Sequence, residues 1–183
     1  MKNIKIIITL IILSSVSCIS SRETVLESLN YNANKNQTEY MVFPFGNTTI
    51  PGKWDKTHYN SESKQQSFIN EDSIKIAIAF GSFTSFEFNQ DGSKKGFEFV
   101  KAYYEWDSKY LAEKNNFNRE ILYQDSTNNF IIWRIQGTNN GEPIDNVFLF
   151  GIKNRNVSNL SIFTDKWDIN KKNQFLKGLF MNK

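Results

Sequence analysis

The chain has 183 residues, and 16 Phe, 7 Tyr and 4 Trp bring its aromatic content to 15%, so the length of one domain is available and its core is expected to be built largely of rings. Lys and Arg number 22 against 19 Asp and Glu, and so small a basic excess, without a reader motif, excludes a nucleic-acid binder. The single cysteine, Cys18, excludes an internal disulfide, and a folded domain must therefore stand on packing alone.

Lys2 and Lys5 give a positive start, Ile6 to Leu13 form an apolar run, and Ser14-Ser15-Val16-Ser17 lead into Cys18. This is the layout of a secretory signal. The apolar run is less than half of the ~20 residues that a spanning helix needs. With its lone cysteine placed where the small residues end, the stretch resembles a bacterial lipoprotein signal peptide. The resemblance implies that residues 1–17 are removed, that Cys18 is diacylated with chains such as palmitate, and that the protein is anchored in the cell envelope, at its periplasmic face or at the cell surface. The departure from that family is Ser15, which stands where a leucine is preferred; the nearest is Leu13. Without Lys2 and Lys5 the 22 positive side chains fall to 20 against 19 negative ones, which is close to neutrality.

Residues 18–38 read as a lipidated flexible tether. Arg22 to Leu29 suit a short helix, and Asn30 to Gln37 is polar, asparagine-rich and without periodicity. Residues 39–183 read as one α+β domain. Tyr40 to Phe43 lead to Pro44, and a loop is expected from Gly46 to Gly52, because Pro44 and Pro51 forbid a central strand there. Three strands follow over Trp54 to Tyr59, Gln65 to Ile69 and Ile74 to Phe80, separated by turn chemistry at Ser61 to Lys64 and Asn70 to Ser73. In the third, Ile74, Ile76, Ile78 and Phe80 share one face.

Gly81 to Lys95 is expected to be a long loop with a turn at Gln90-Asp91-Gly92-Ser93, followed by a helix over Phe97 to Lys114. Phe99, Tyr103, Trp106 and Tyr110 recur there at helical spacing and are expected to form a core stripe. Four further strands, Arg119 to Gln124, Phe130 to Gln136, Asn146 to Ile152 and Val157 to Thr164, read as successive hairpins. The middle two are apolar on both faces, so both faces must be covered. Asp168 is placed to cap a last helix, with Ile169, Phe175, Leu176, Leu179 and Phe180 on one side. The expected fold is α+β: a mainly antiparallel six- to seven-stranded sheet with a helix on each face, in three layers. Trp106, Trp133, Phe148, Phe150 and Phe175 are expected to be buried.

This order of elements, with Pro51-Gly52-Lys53-Trp54 ahead of the first hairpin, resembles the PsbP-like superfamily, which includes DcrB-type envelope lipoproteins. The resemblance spans Tyr40 to Met181. It implies an accessory or assembly role and transfers no catalytic set.

His58 is the sole histidine, and the sequence points to no nucleophile or orienting carboxylate for it. Glu87, Asn89, Asp91, Gly92, Ser93 and Glu98 have the spacing of a calcium loop, but Lys94 and Lys95 intrude and no helix precedes them. The acid pairs Glu71-Asp72, Glu105/Asp107 and Asp165/Asp168 fall at turns, on a helix or at a cap. No catalytic residue, metal site or cofactor is therefore assigned. Three function classes follow: a lipid-anchored envelope accessory protein that binds another envelope protein without catalysis, a binder of glycan or small apolar ligands, and a hydrolase with unassigned residues. The first is the expectation, with a partner surface made by the loop Gly81 to Lys95 and the start of the first hairpin: Trp54, Phe83, Phe86 and Phe88.

Overall fold

The computed structural model describes residues 25–182; Cys18 and the signal-like segment lie outside them. The described chain opens with a three-stranded antiparallel sheet of β1 (Leu26–Asn32), β2 (Gln37–Phe43) and β3 (Gly46–Pro51), with β2 in the middle. This corrects three expectations: a flexible tether as far as Thr38, a helix ending at Leu29, and a loop from Gly46 to Gly52. The asparagines that suggested a spacer make the β1–β2 turn instead. Asn36 takes a positive φ of 46°, and the Asn32 side chain accepts a hydrogen bond from the Lys35 backbone N–H at 3.2 Å, both habits of turn asparagine. Pro44 follows the end of β2 and Pro51 ends β3, an edge strand, where a missing N–H costs no internal ladder bond.

β4 (Asp55–Asn60), β5 (Gln65–Ile69) and β6 (Lys75–Ser82) form a meander. After the crossover helix α1 (Gly96–Asn115) come β7 (Asn118–Asp125), β8 (Phe130–Asn139), β9 (Glu142–Lys153) and β10 (Asn156–Phe163), a second meander that lays β10 antiparallel to β6. The resulting seven-stranded sheet has the order β4-β5-β6-β10-β9-β8-β7. Its central strands are apolar on both faces, as the sequence requires. Phe130, Ile132, Val147, Leu149, Leu160 and Ile162 belong to one core, and Ile131, Trp133, Ile135, Phe148, Phe150 and Ile152 to the other. A period of two along each strand divides the residues in this way.

The first core is covered by α2 (Ile169–Met181) and by the small sheet. Asp168 caps α2 by accepting from the Lys171 N–H at 2.8 Å. Gly151 on β9 lets the helix approach, since a Cβ there would overlap the Phe180 ring. The Thr48 hydroxyl of β3 donates to the Leu179 carbonyl at 2.7 Å, joining the small sheet to α2. Glu27 of β1 accepts from the Tyr40 hydroxyl at 2.6 Å and pairs with Lys56 of β4 at 2.7 Å, so the two sheets are tied by one carboxylate. The second core is covered by α1, which ends where Asn116 turns left-handed with φ 54° and donates its N–H to the Ala112 carbonyl. The architecture is thus helix, sheet, then helix with an added small sheet.

Trp133, Phe148 and Phe150 are buried, as expected. Two other placements are corrected. Phe175 is half-buried, between Trp54 and Trp167, and Trp106 is 43% exposed. The buried face of α1 is Phe99, Val100, Tyr103, Tyr104 and Ser108. It drifts one residue away from the stripe toward β7, where Arg119 donates to the Ser108 hydroxyl at 2.6 Å.

Candidate interaction surface

The residues between β6 and α1 form two short 3-10 turns, Phe83–Ser85 and Glu87–Asn89. Their anchor is Asn89, which is buried. Its side-chain amide donates to the Phe83 and Lys94 carbonyls at 3.1 and 3.2 Å, and its oxygen accepts from the Lys94 N–H at 2.8 Å. One residue of the calcium-like spacing is thereby spent as an internal staple. Asp91, another, accepts from the Ser93 N–H at 3.0 Å, which holds its carboxyl below the usual range. Among the described residues no group of three His, Cys, Asp or Glu side chains is placed to hold a metal ion.

Stapled in this way, the loop lays Phe86 and Phe88 against α1. The Phe86 ring lies 4.6 Å from Tyr103 and 6.1 Å from Trp106, and Phe88 lies 5.4 Å from Phe99 and 5.7 Å from Trp106. A column of rings therefore runs outward from Phe150 on the sheet, through Tyr103, to Phe86, Phe88 and Trp106. Edge-to-face and offset contacts of this kind hold the rings in place. One turn further along α1, Tyr110 is 58% exposed and accepts from the Lys114 ammonium at 3.0 Å.

Beneath the column a polar strip crosses the sheet. Gln65 donates to Asn159 at 3.1 Å and to Ser161 at 2.9 Å, and Asn159 donates to the Tyr103 hydroxyl at 2.9 Å. Burial and the nearby Asp107 carboxylate push the Tyr103 hydroxyl up from its ordinary value. Asp107 is half-buried beside it, and burial pushes its carboxyl up to about 6. On the other face, buried Lys172 donates to the Asp145 carbonyl and carboxylate at 3.0 and 3.2 Å, while Arg134 grips that carboxylate at 2.6 and 3.0 Å. Arg134, and Lys172 after it, hold Asp145 below the usual carboxylate range against the opposing effect of burial. The Asp145 carboxylate is thereby paired with two cations, one of them fully buried.

The four residues singled out in the sequence do not come together. Trp54 is buried under α2, its ring 5.9 Å from Phe175 and its indole N–H donated to the Pro51 carbonyl at 2.8 Å. Phe83 is buried on the opposite face, 6.3 Å from Phe99. Only Phe86 and Phe88 reach the surface, half-buried. Trp106 and Tyr110, which the helical stripe places in the core, are exposed instead. Val100, Tyr104 and Ser108, a second set at helical spacing, point to the face that is buried. His58 is exposed on β4.

Two depressions adjoin one another where the β9–β10 turn meets the start of α1. One, of about 310 Å³, is lined by Phe83, Thr84, Asp91, Gly92, Lys95 and Arg155. The other, of about 130 Å³, shares Phe83, Lys95 and Arg155 and adds Asn129 and Asn154. Phe83 is the one ring in the lining of each.

Fold and surface together define an antiparallel α+β domain of three layers with an aromatic rim along one helix. No protein-family model matches the chain, and no curated protein does. Among solved structures it is similar to the solution structure of cyanobacterial PsbP (CyanoP) from Synechocystis, at 6% identity and a TM-score of 0.46, over 91% of this chain and 96% of that one.

Proposed function

We propose that this chain is a lipid-anchored accessory protein of the bacterial cell envelope, acting by binding another envelope protein rather than by catalysis. The anchor in this reading is Cys18, acylated after removal of residues 1–17. The binding surface is the outer edge of α1. The observation that supports it is Trp106 and Tyr110 exposed side by side along that edge, with half-buried Phe86 and Phe88 packed behind Trp106. Tryptophan and tyrosine dominate the energetic centres of protein interfaces because they bury large area at little entropic cost. Here the supporting rings are already fixed by the Asn89 staple, so ordering this patch on binding costs little. Tethering to a membrane raises the effective concentration of two envelope proteins, and a modest interface then suffices.

The test is site-specific photo-crosslinking in intact cells, with the photoreactive side chain at Trp106 and, as comparison, at Lys64 in the β4–β5 turn. The expected result is one discrete protein adduct from Trp106 and none from Lys64. Adducts from Lys64 alone, or from neither position, reject the α1 surface. Mass spectrometry of the mature protein reads the anchor separately, and an unmodified Cys18 rejects it.

A further inference from the structure

We infer that the end of the domain formed by the start of β1 and the β2–β3 turn rests on an anionic phospholipid surface, held against it by the acyl chains of Cys18. The inference rests on the lipid anchor proposed above and adds an orientation to it. In the small sheet, Leu29, Tyr40 and Ile50 face the core, which turns Leu26, Ser28, Met41 and Phe43 to the outer face. Leu26 stands directly opposite Phe43, and Ser28 opposite Met41. Leu26 is 60% and Phe43 56% exposed, so the outer sheet face carries an apolar patch at its end.

Three observations indicate what covers it. The patch lies where the undescribed part of the chain joins: Cys18 is seven residues before Val25, a reach of at most about 25 Å. An acyl chain at Cys18 thus confines Leu26 to the neighbourhood of a bilayer. Secondly, the same end carries cations. The Asn156 side chain donates to the Pro44 carbonyl at 3.4 Å, which sets the β9–β10 turn beside Phe43, and exposed Arg155 in that turn shares a depression with exposed Lys95, two cations against one carboxylate there, Asp91. Thirdly, Lys153 donates to the Phe180 carbonyl at 2.9 Å, which brings the last turn of α2, with exposed Met181, to this end as well. Apolar side chains with a cationic border match the boundary between acyl chains and anionic headgroups. In this orientation Tyr110 stands ~20 Å along α1 from Gly96, clear of the lipid.

Because Cys18 is the sole cysteine and is blocked when acylated, one introduced thiol gives one labelling site. The mature acylated protein, with Ser28→Cys or Lys109→Cys carrying a nitroxide, is reconstituted into phosphatidylethanolamine–phosphatidylglycerol vesicles. Collision with dissolved oxygen and with a water-soluble nickel chelate is then measured. The expected result is an oxygen-to-nickel accessibility ratio several-fold higher at Ser28 than at Lys109, falling to the Lys109 value in a Leu26→Asp/Phe43→Asp background that stays vesicle-bound. Equal ratios on acylated, vesicle-bound protein overturn the orientation and leave the anchor standing. Nickel protection at Ser28 that follows protein concentration in detergent without vesicles assigns the face to a second copy of the chain and also overturns it. A Cys18 without acyl chains removes the anchor and this inference with it.

Discussion

The Tyr103 ring lies flat on the Phe150 ring, with centroids 4.2 Å apart and planes 9° from parallel. This contact joins α1 to the middle of the large sheet, and the outward rings of Phe86, Phe88 and Trp106 pack against Tyr103. Removing the inner ring empties a site fully enclosed by protein. Phe150→Ala is expected to cost about 3–5 kcal/mol, measured by urea or thermal unfolding. Loss of less than about 1 kcal/mol, well below that range, would mean that α1 is not fixed through this contact.

Asp107 gives a pH dependence of definite sign. Burial raises its folded pKa to about 6 from the ordinary 3.8 of an aspartate, so between those values the folded state binds more protons than the unfolded one. Stability contributed by this group therefore falls as pH rises from about 4 to about 6 and is flat above that window. Asp107→Asn is expected to flatten that segment of the stability–pH curve and to stabilise the protein at pH 7 by on the order of 1–3 kcal/mol. A variant with the slope of the parent protein would refute the assignment.

The Arg134, Asp145 and Lys172 trio predicts an asymmetry between two truncations. Asp145→Ala removes the carboxylate and leaves the buried Lys172 ammonium donating to the backbone carbonyl of residue 145 without a countercharge beside it, at a cost of about 3 kcal/mol, the low end for a broken buried pair because Asp145 is itself partly exposed. Lys172→Met leaves Asp145 paired with Arg134 and fills similar space, so it is expected to cost clearly less. Chemical denaturation of both variants decides; equal losses would show that the lysine charge is not what the aspartate serves.

Glu27 is the ionic link between the two sheets, which also share the core of Tyr40, Ile50, Phe68 and Phe80. Burial opposes its ionisation, but hydrogen bonds from Lys56 and Tyr40 and the Lys56 charge outweigh this and hold its carboxyl below the usual carboxylate range. A depressed carboxylate contributes stability that is present above the unfolded pKa and lost as pH falls through the folded one. Glu27→Gln is expected to speed amide hydrogen exchange in β1 and β2 while leaving β8 to β10 protected, because the small sheet opens without the large one. Uniform acceleration in both sheets would show that they open as one unit.

Much of this fold is written in local pattern. The continuous apolar runs of β8 and β9 show that both sides are covered, and the period of two tells which residues face each side, because side-chain direction in a strand is fixed by the backbone and needs no partner to define it. The Asp168 cap and the apolar side of α2 were readable for the same reason. Two decisions belonged to the tertiary structure. Leu26–Asn32 becomes a strand only because β2 is there to pair with it and Lys56 to meet Glu27; its own sequence is polar, and the asparagines around its turn gave the pattern of a spacer. The fate of each aromatic was decided in the same way. The period of a helix says that Phe99, Tyr103, Trp106 and Tyr110 lie near one another, but not where the sheet beneath them ends, so Trp106 and Tyr110 lie outside the core that the stripe suggested. Trp54, beside Pro51 and Gly52 in a segment with loop chemistry, is covered by α2 from more than a hundred residues away. Burial is a property of what arrives from elsewhere in the chain, and for these rings a local sequence pattern contains no such information.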